Sequence, residues 1–409
     1  MGSEVTTTIS NDVSAKPTHR AIVAAMIAGA CTFLNVYCTQ PLLPFLQSLY
    51  HASEVEVALT IGAVTLAVAI MAPIIGMLAE TIGRKKVIVP ALFGVAVPTI
   101  LAATSGSLHA LIFWRFAQGL FVPGIIAVMM AYINEEFSDR AGSVMSAYVT
   151  GTVFGGFLGR FIAGMVATHG HWRLVFIILG ALDLAGAFAV RAWLPKAQNF
   201  VRAPHVFGSL RDAWAHLRNP RLVAIFGMGF TVLFSLVGVF TYANFYLARP
   251  PFSLSSAALG SIFFVYLLGC VITPLAGRFL DRKGFQKTAI LALALSLAGL
   301  MLTLFHSLPI VITGLALFSS GVFVSQSAGT VQTGRVAGRA RSSAAGLYVT
   351  FYYIGGSIGA TLPAWFWAKG GWPACVGLLA AISALTLVCG LLGARTAVVG
   401  DGIALEPLS

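Results

Sequence analysis

Three ionisable side chains sit where the surrounding sequence has almost nothing but apolar residues: Arg115, Arg160 and Asp183. An ionised group within a membrane-length apolar run costs about 2.5–3.5 kcal/mol even on insertion scales, so each must face a partner or a watery cavity. Arg115 opens Arg115-Phe-Ala-Gln118-Gly119, and Arg160 follows the glycine series Gly151, Gly155, Gly156 and Gly159. Two guanidinium groups suit an anionic group, or an aromatic or polar surface reached by stacking. Asp183 is the single acid near the middle of such a run, which makes it either a proton carrier or one end of a structural hydrogen bond. Metal and covalent chemistry find no support. The five cysteines lie in apolar runs without C-x-x-C spacing, no histidine cluster accompanies them, and no Gly-Lys-Ser/Thr phosphate loop occurs. No cofactor, metal site or enzyme activity is expected.

The elements that must hold these groups follow from composition. Of 409 residues, 58% are hydrophobic and 9% charged, too few charges to clothe a water-soluble domain. The apolar residues fall into twelve segments, from 20–44 to 371–393, each long enough to cross a hydrocarbon layer about 30 Å thick. Backbone groups in lipid must pair within their own segment, so helices are expected and a β-barrel is not. The net charge of +12 is no sign of nucleic acid. Most Lys and Arg fall in alternate loops, which predicts both termini in the cytoplasm. Residues 193–219 break the pattern with Pro195, Lys196, Arg202, Pro204, Arg211 and Arg218. Leu210, Ala213, Trp214 and Leu217 recur there at helical spacing, which fits an amphipathic helix on the inner leaflet as well as it fits a solvated linker.

The chain also repeats itself. Ser143, Tyr148, Val149, Thr150, Gly155, Gly156 and Gly159 return 200 residues later as Ser343, Tyr348, Val349, Thr350, Gly355, Gly356 and Gly359. Pro73, Gly76, Glu80, Gly83 and Lys86 return after 201 as Pro274, Gly277, Asp281, Gly284 and Lys287. A half-length parallel repeat predicts two related six-helix halves, 20–192 and 220–393, joined by the linker 193–219 and flanked by tails 1–19 and 394–409. Neither intramembrane arginine is repeated: Arg160 corresponds to Ala360, and Arg115 to an apolar position near Leu317.

The loop Gly76-Met-Leu-Ala-Glu80-Thr-Ile-Gly83-Arg84-Lys85-Lys86 resembles the signature loop of the major facilitator superfamily, G-x-L-a-D-r-x-G-R-k, with Glu80 where Asp is usual, and Gly277 to Gly284 resembles its second copy. Arg115 to Gly119 is similar to the R-x-x-Q-G motif of its proton-coupled exporters. The fifth span resembles the antiporter motif, with Gly156 at the usual proline position and Arg160 closing it. These features, with Asn35-Val-Tyr37-Cys-Thr-Gln40-Pro41 in the first span, resemble the twelve-span drug:proton antiporter branch and its arabinose-efflux-like members. The resemblance implies an all-α membrane fold of two pseudo-symmetric halves. It implies an exporter of the cytoplasmic (inner) membrane, expected as a monomer, that moves a small molecule in exchange for protons; the family's usual acid in the first or fourth span is absent, and the residues offer Asp183 and Arg115 for the coupling. It also implies a cytoplasmic gate at Gly76, Glu80, Gly83 and Arg84 with Glu135, Glu136 and Arg140, matched by Gly277, Asp281 and Gly284, and hinge or packing roles for the four span-five glycines. On spans expected to line the cavity, Asn35, Tyr37, Gln40, Arg115, Gln118, Arg160, Tyr242, Asn244, Tyr266, Gln326, Tyr348 and Tyr352 form the candidate substrate surface. An organic-anion or sugar-type carrier, favoured by the two arginines, and a non-transporting sensor are the alternatives.

Overall fold

A computed structural model describes residues 19–137, 140–197, 206–337 and 341–394. The helices are α1 (His19–Val36), α2 (Leu43–Tyr50), α3 (Glu54–Ile82), α4 (Arg84–Ala102), α5 (Leu108–Gly119), α6 (Pro123–Glu136), α7 (Ala141–Ala167) and α8 (Trp172–Trp193). They continue with α9 (Val206–Leu217), α10 (Pro220–Ala248), α11 (Ser256–Ile262), α12 (Gly269–Leu302), α13 (Leu308–Ala337), α14 (Arg341–Thr361) and α15 (Pro363–Ala394). No strand occurs among the described residues. Among the described residues, ten helical stretches are long and apolar enough to cross a membrane. Two of the longest are interrupted by left-handed glycines, α12 at Gly284 (φ 78°) and α15 at Gly371 (φ 61°), where a β-carbon would be strained. Dividing α12 at Gly284, and joining α14 to the part of α15 before Gly371 as one span, reproduces the twelve spans expected. The tails 1–18 and 395–409 and residues 198–205 of the linker lie outside the described residues; α9 falls on the predicted amphipathic stretch, with Trp214 exposed.

Four spans are broken partway. Span 1 runs through α1, a 3-10 turn at Gln40–Leu42 and α2; span 4 is α5 and α6, parted before Pro123. Span 8 passes through the 3-10 stretch Phe263–Leu268, and span 11 is interrupted between α14 and Pro363. In span 1 the cause is local: Pro41 and Pro44 bring no N–H, so the chain tightens to i−3 bonds, Gln40 N–H donating to the Tyr37 carbonyl at 3.1 Å. That releases the Val36 carbonyl, which a straight helix would have engaged.

The repeat is visible in the packing. A β-carbon at Gly155 or Gly159 would overlap the backbone of Ala30 or Leu34, and at Gly355 or Gly359 the backbone of Phe230 or Phe234, positions 200 residues apart. Spans 5 and 1, and their mates 11 and 7, therefore pack backbone to backbone. Gly151 does the same against Met26. Gly156 departs from the expected packing role: a β-carbon there would meet only Arg160 Nη1 at 3.4 Å and Phe33 Cβ at 3.7 Å.

With the near end of the bundle defined by His19 and Ala394, four polar contacts join the halves toward the far end. Arg249 pairs with Glu54 at 2.8 Å, and Ala257 N–H donates to Thr168 Oγ1 at 2.8 Å. Ser357 Oγ donates to the Gly62 carbonyl at 2.9 Å, and Gln40 Nε2 reaches Thr241 Oγ1 at 3.5 Å, a long contact. Gln40 of span 1 and Thr241 of span 7 thus meet where the two halves adjoin.

Candidate functional site

The break in span 1 gathers the charged side chains singled out above. Arg160 of α7 is 2% exposed; its Nε donates to Gln40 Oε1 at 2.7 Å and its Nη1 to the Gly156 carbonyl. Its Cζ lies 4.8 Å from the ring centre of Tyr37, 4.6 Å from Phe263 and 4.9 Å from Tyr266. Spans 1 and 5 of the first half and span 8 of the second thus enclose one cation with aromatic faces, a favourable seat for guanidinium. No carboxylate pairs with it among the described residues. Tyr352 of α14 stacks on Tyr348, with ring centres 6.2 Å apart, and meets Tyr353 edge-on.

Arg115 has another role. Of the two options for a buried arginine, cavity or partner, it takes the partner. Its Nη2 donates to the freed Val36 carbonyl at 2.7 Å, its Nε to the Thr60 carbonyl at 3.1 Å, and its Nη1 to Gln118 Oε1. Gln118 Nε2 in turn donates to Thr99 Oγ1. One residue ties spans 1, 2 and 4 together, and its neighbour adds span 3. Arg115 and Gln118 therefore lie inside the first half, not on the substrate surface where the sequence reading put them.

Asp183 of α8 is fully buried and accepts from Asn35 Nδ2. Asn35 is turned toward span 6 and away from Arg160, again unlike its expected place on the substrate surface. Tyr242 donates to the Ala360 carbonyl at 3.1 Å, and Asn244 to the Phe240 carbonyl of its own helix. Both serve packing between or within spans 7 and 11. Gln326 is half-buried on α13 without a side-chain hydrogen bond among the described residues. The set that converges is Arg160, Gln40, Tyr37 and Tyr266, joined by Phe263 and Thr241. Phe263 carried a signal in the sequence, three residues from Tyr266 on the same helical face, whereas Thr241 is a threonine in an apolar span with nothing to single it out.

At the near end, Gly83 (φ 100°) makes the turn that starts α4, and Arg84 grips Glu135 at the end of α6 through Nη2 at 2.7 Å and Nε at 3.1 Å. The expected partner of Glu80 does not appear: it makes no hydrogen bond or ion pair among the described residues, and Arg140 forms no ion pair among them. Gly76 and Gly277 have open space where a β-carbon would go, so close helix approach is not their purpose. In the second half the polarity is reversed. Asp281 of the loop faces Arg335, the repeat mate of Glu135, at 3.6 Å.

Residues 25–272 and 251–401 match the Major Facilitator Superfamily. The inner membrane transport protein YnfM of Escherichia coli (strain K12) is 32% identical over 376 residues, 91% of this chain and 89% of its own length. The uncharacterised MFS-type transporter YybF of Bacillus subtilis (strain 168) is 31% identical over 366 residues, 89% of this chain and 91% of its own. Among solved structures, a point mutant of the nucleoside transporter NupG superposes with a TM-score of 0.74 at 14% identity, over 92% of this chain and 100% of that one. The human organic anion transporter MFSD10 (TETRAN) gives 0.70 at 20% identity, with the same coverage. Helix order, the half-length repeat and these matches agree: the chain belongs to the major facilitator superfamily and is a multi-pass membrane transporter.

Proposed function

We propose that the protein is a secondary active transporter of the cytoplasmic membrane, with both termini inside, that exports a small organic molecule by alternating access in exchange for protons. We further propose that its substrate carries an anionic group held by Arg160. The observation that supports this reading is the seat of Arg160: a guanidinium with no carboxylate, at the junction of the two halves, on a span whose repeat mate has alanine. A cation so placed is costly without an anion to meet it, and the tyrosines and Phe263 around it suit a planar or aromatic body. Gln40, Tyr37 and Tyr266 would orient the ligand, and Arg115 would act at a distance by holding the span 1 break. Export and proton exchange rest on the loop and the R-x-x-Q-G motif. Arg84 with Glu135, and Asp281 with Arg335, are the proposed near-side gate.

The test is proton movement in inside-out vesicles on adding benzoate, tetraphenylphosphonium or arabinose in turn. Release driven by benzoate, and lost in Arg160→Gln, is the expected result. Release driven by tetraphenylphosphonium or arabinose and kept in Arg160→Gln would overturn the assignment of substrate charge.

A further inference from the structure

The contact between Asn35 and Asp183 leaves an imbalance that a single hydrogen removes. Asn35 Nδ2 donates to Asp183 Oδ2, while Asn35 Oδ1 and Asp183 Oδ1, both buried, have no hydrogen-bond partner. An ionised carboxylate only accepts, so these two oxygens cannot serve each other, and both are left as buried acceptors without a donor. No cation of the site is directed at them. Arg115 gives its hydrogens to Val36, Thr60 and Gln118, and Arg160 to Gln40 and Gly156.

We propose that Asp183 is a carboxylic acid in this state, donating its proton to Asn35 Oδ1 in a reciprocal acid–amide pair, and that this pair is the site that binds the exchanged proton. The inference rests on the antiport reading and gives it a location. The other ionisable neighbours are few. Span 1 brings the Cys31 thiol to the same carboxyl as a weak S–H donor, which leaves Asn35 Oδ1 unserved, and carries Cys38 further along. α4, packed against α8, has no ionisable residue beyond Lys86. α7 contributes Tyr148, and Arg160 on the face turned to the second half. Asn35 and Gln40 lie on either side of the span 1 break, so a shift of that break on ligand binding at Gln40 also moves the amide that holds the acid. The only bond made or lost is the O–H of Asp183. Its proton enters from water at one face and leaves at the other once α1 and α8 part at Asn35.

Infrared difference spectra of the full-length protein in lipid nanodiscs, wild type against Asp183→Asn at neutral pH, should show a carboxylic acid carbonyl band that the variant lacks. That band should shift in Asn35→Leu. A carboxylate signature for Asp183 at neutral pH overturns the proposal. In proteoliposomes, Asp183→Asn should keep benzoate counterflow and lose benzoate-driven proton movement. Proton coupling retained by Asp183→Asn sinks the carrier role alone. Wild-type protein that moves benzoate without protons sinks the antiport reading and the carrier role with it, while the infrared band still decides the state of Asp183.

Discussion

Arg115 and Arg160 are the same residue type at similar burial, yet their surroundings divide their work. Each nitrogen of Arg115 donates to a carbonyl or amide oxygen of its own half, whereas Arg160 also faces rings of the other half and, among the described residues, has Gln40 and Gly156 as acceptors. Arg160→Lys is therefore expected to lose about 10- to 100-fold in affinity for the anion, since a charge-assisted bond is worth about 1.5–3 kcal/mol and an ammonium cannot reproduce the planar fork. Binding calorimetry with benzoate checks this, and wild-type affinity would return Arg160 to a packing role. Arg115→Ala should leave the Val36 and Thr60 carbonyls unserved, at about 1–3 kcal/mol each. A lowered unfolding temperature with intact insertion and absent transport is the expected outcome. Wild-type flux would show that the span 1 break needs no such support.

At the scale of the helix, the glycines of α7 allow a sharp comparison. Gly155→Ala or Gly159→Ala drives a methyl group into the backbone of α1, while Gly156→Ala meets only the tip of Arg160 and one β-carbon. Thermal stability in detergent should fall clearly for the first two, by the roughly 1–3 kcal/mol typical of overpacking, and stay near wild type for the third. Equal losses in all three would mean that α1 and α7 adjust freely. The sequence shows the series but not the difference, because adjacent helical positions are about 100° apart and only the neighbour decides which faces backbone. The span count and the repeat were legible, since hydropathy and self-similarity are properties of the chain alone. The helix breaks were partly so: Pro41, Pro44, Pro123 and Pro363 mark three of them, while span 8 tightens at Phe263–Leu268 without a proline. The residues of the site were legible as types. Which of them converge was not, because Asn35 and Gln40, five apart, serve opposite sides of one broken helix.

For the whole molecule, alternating access requires that the far-side contacts between halves be weak enough to part. Arg249 and Glu54 are both partly exposed, and a pair of that kind contributes about 0–1 kcal/mol. Glu54→Gln should shift the balance toward a far-side-open form by up to about fivefold, the ratio that about 1 kcal/mol sets, with little change in unfolding temperature. Spin labels at positions 52 and 257 would report this as a longer-distance population; an unchanged distribution would mean that the remaining contacts hold the far side closed. One contact is of another kind. Gln40 meets Thr241 of the other half, and Arg160 bonds to Gln40 beside Phe263 and Tyr266 of that half. In a symmetric dimer of one half each copy would bring its own cation at position 160 to that junction, two guanidiniums in one dry space. A lone cation at the junction is thus available only to a chain in which the two copies are covalently joined and free to diverge, and the fusion of the halves is itself a precondition of the site.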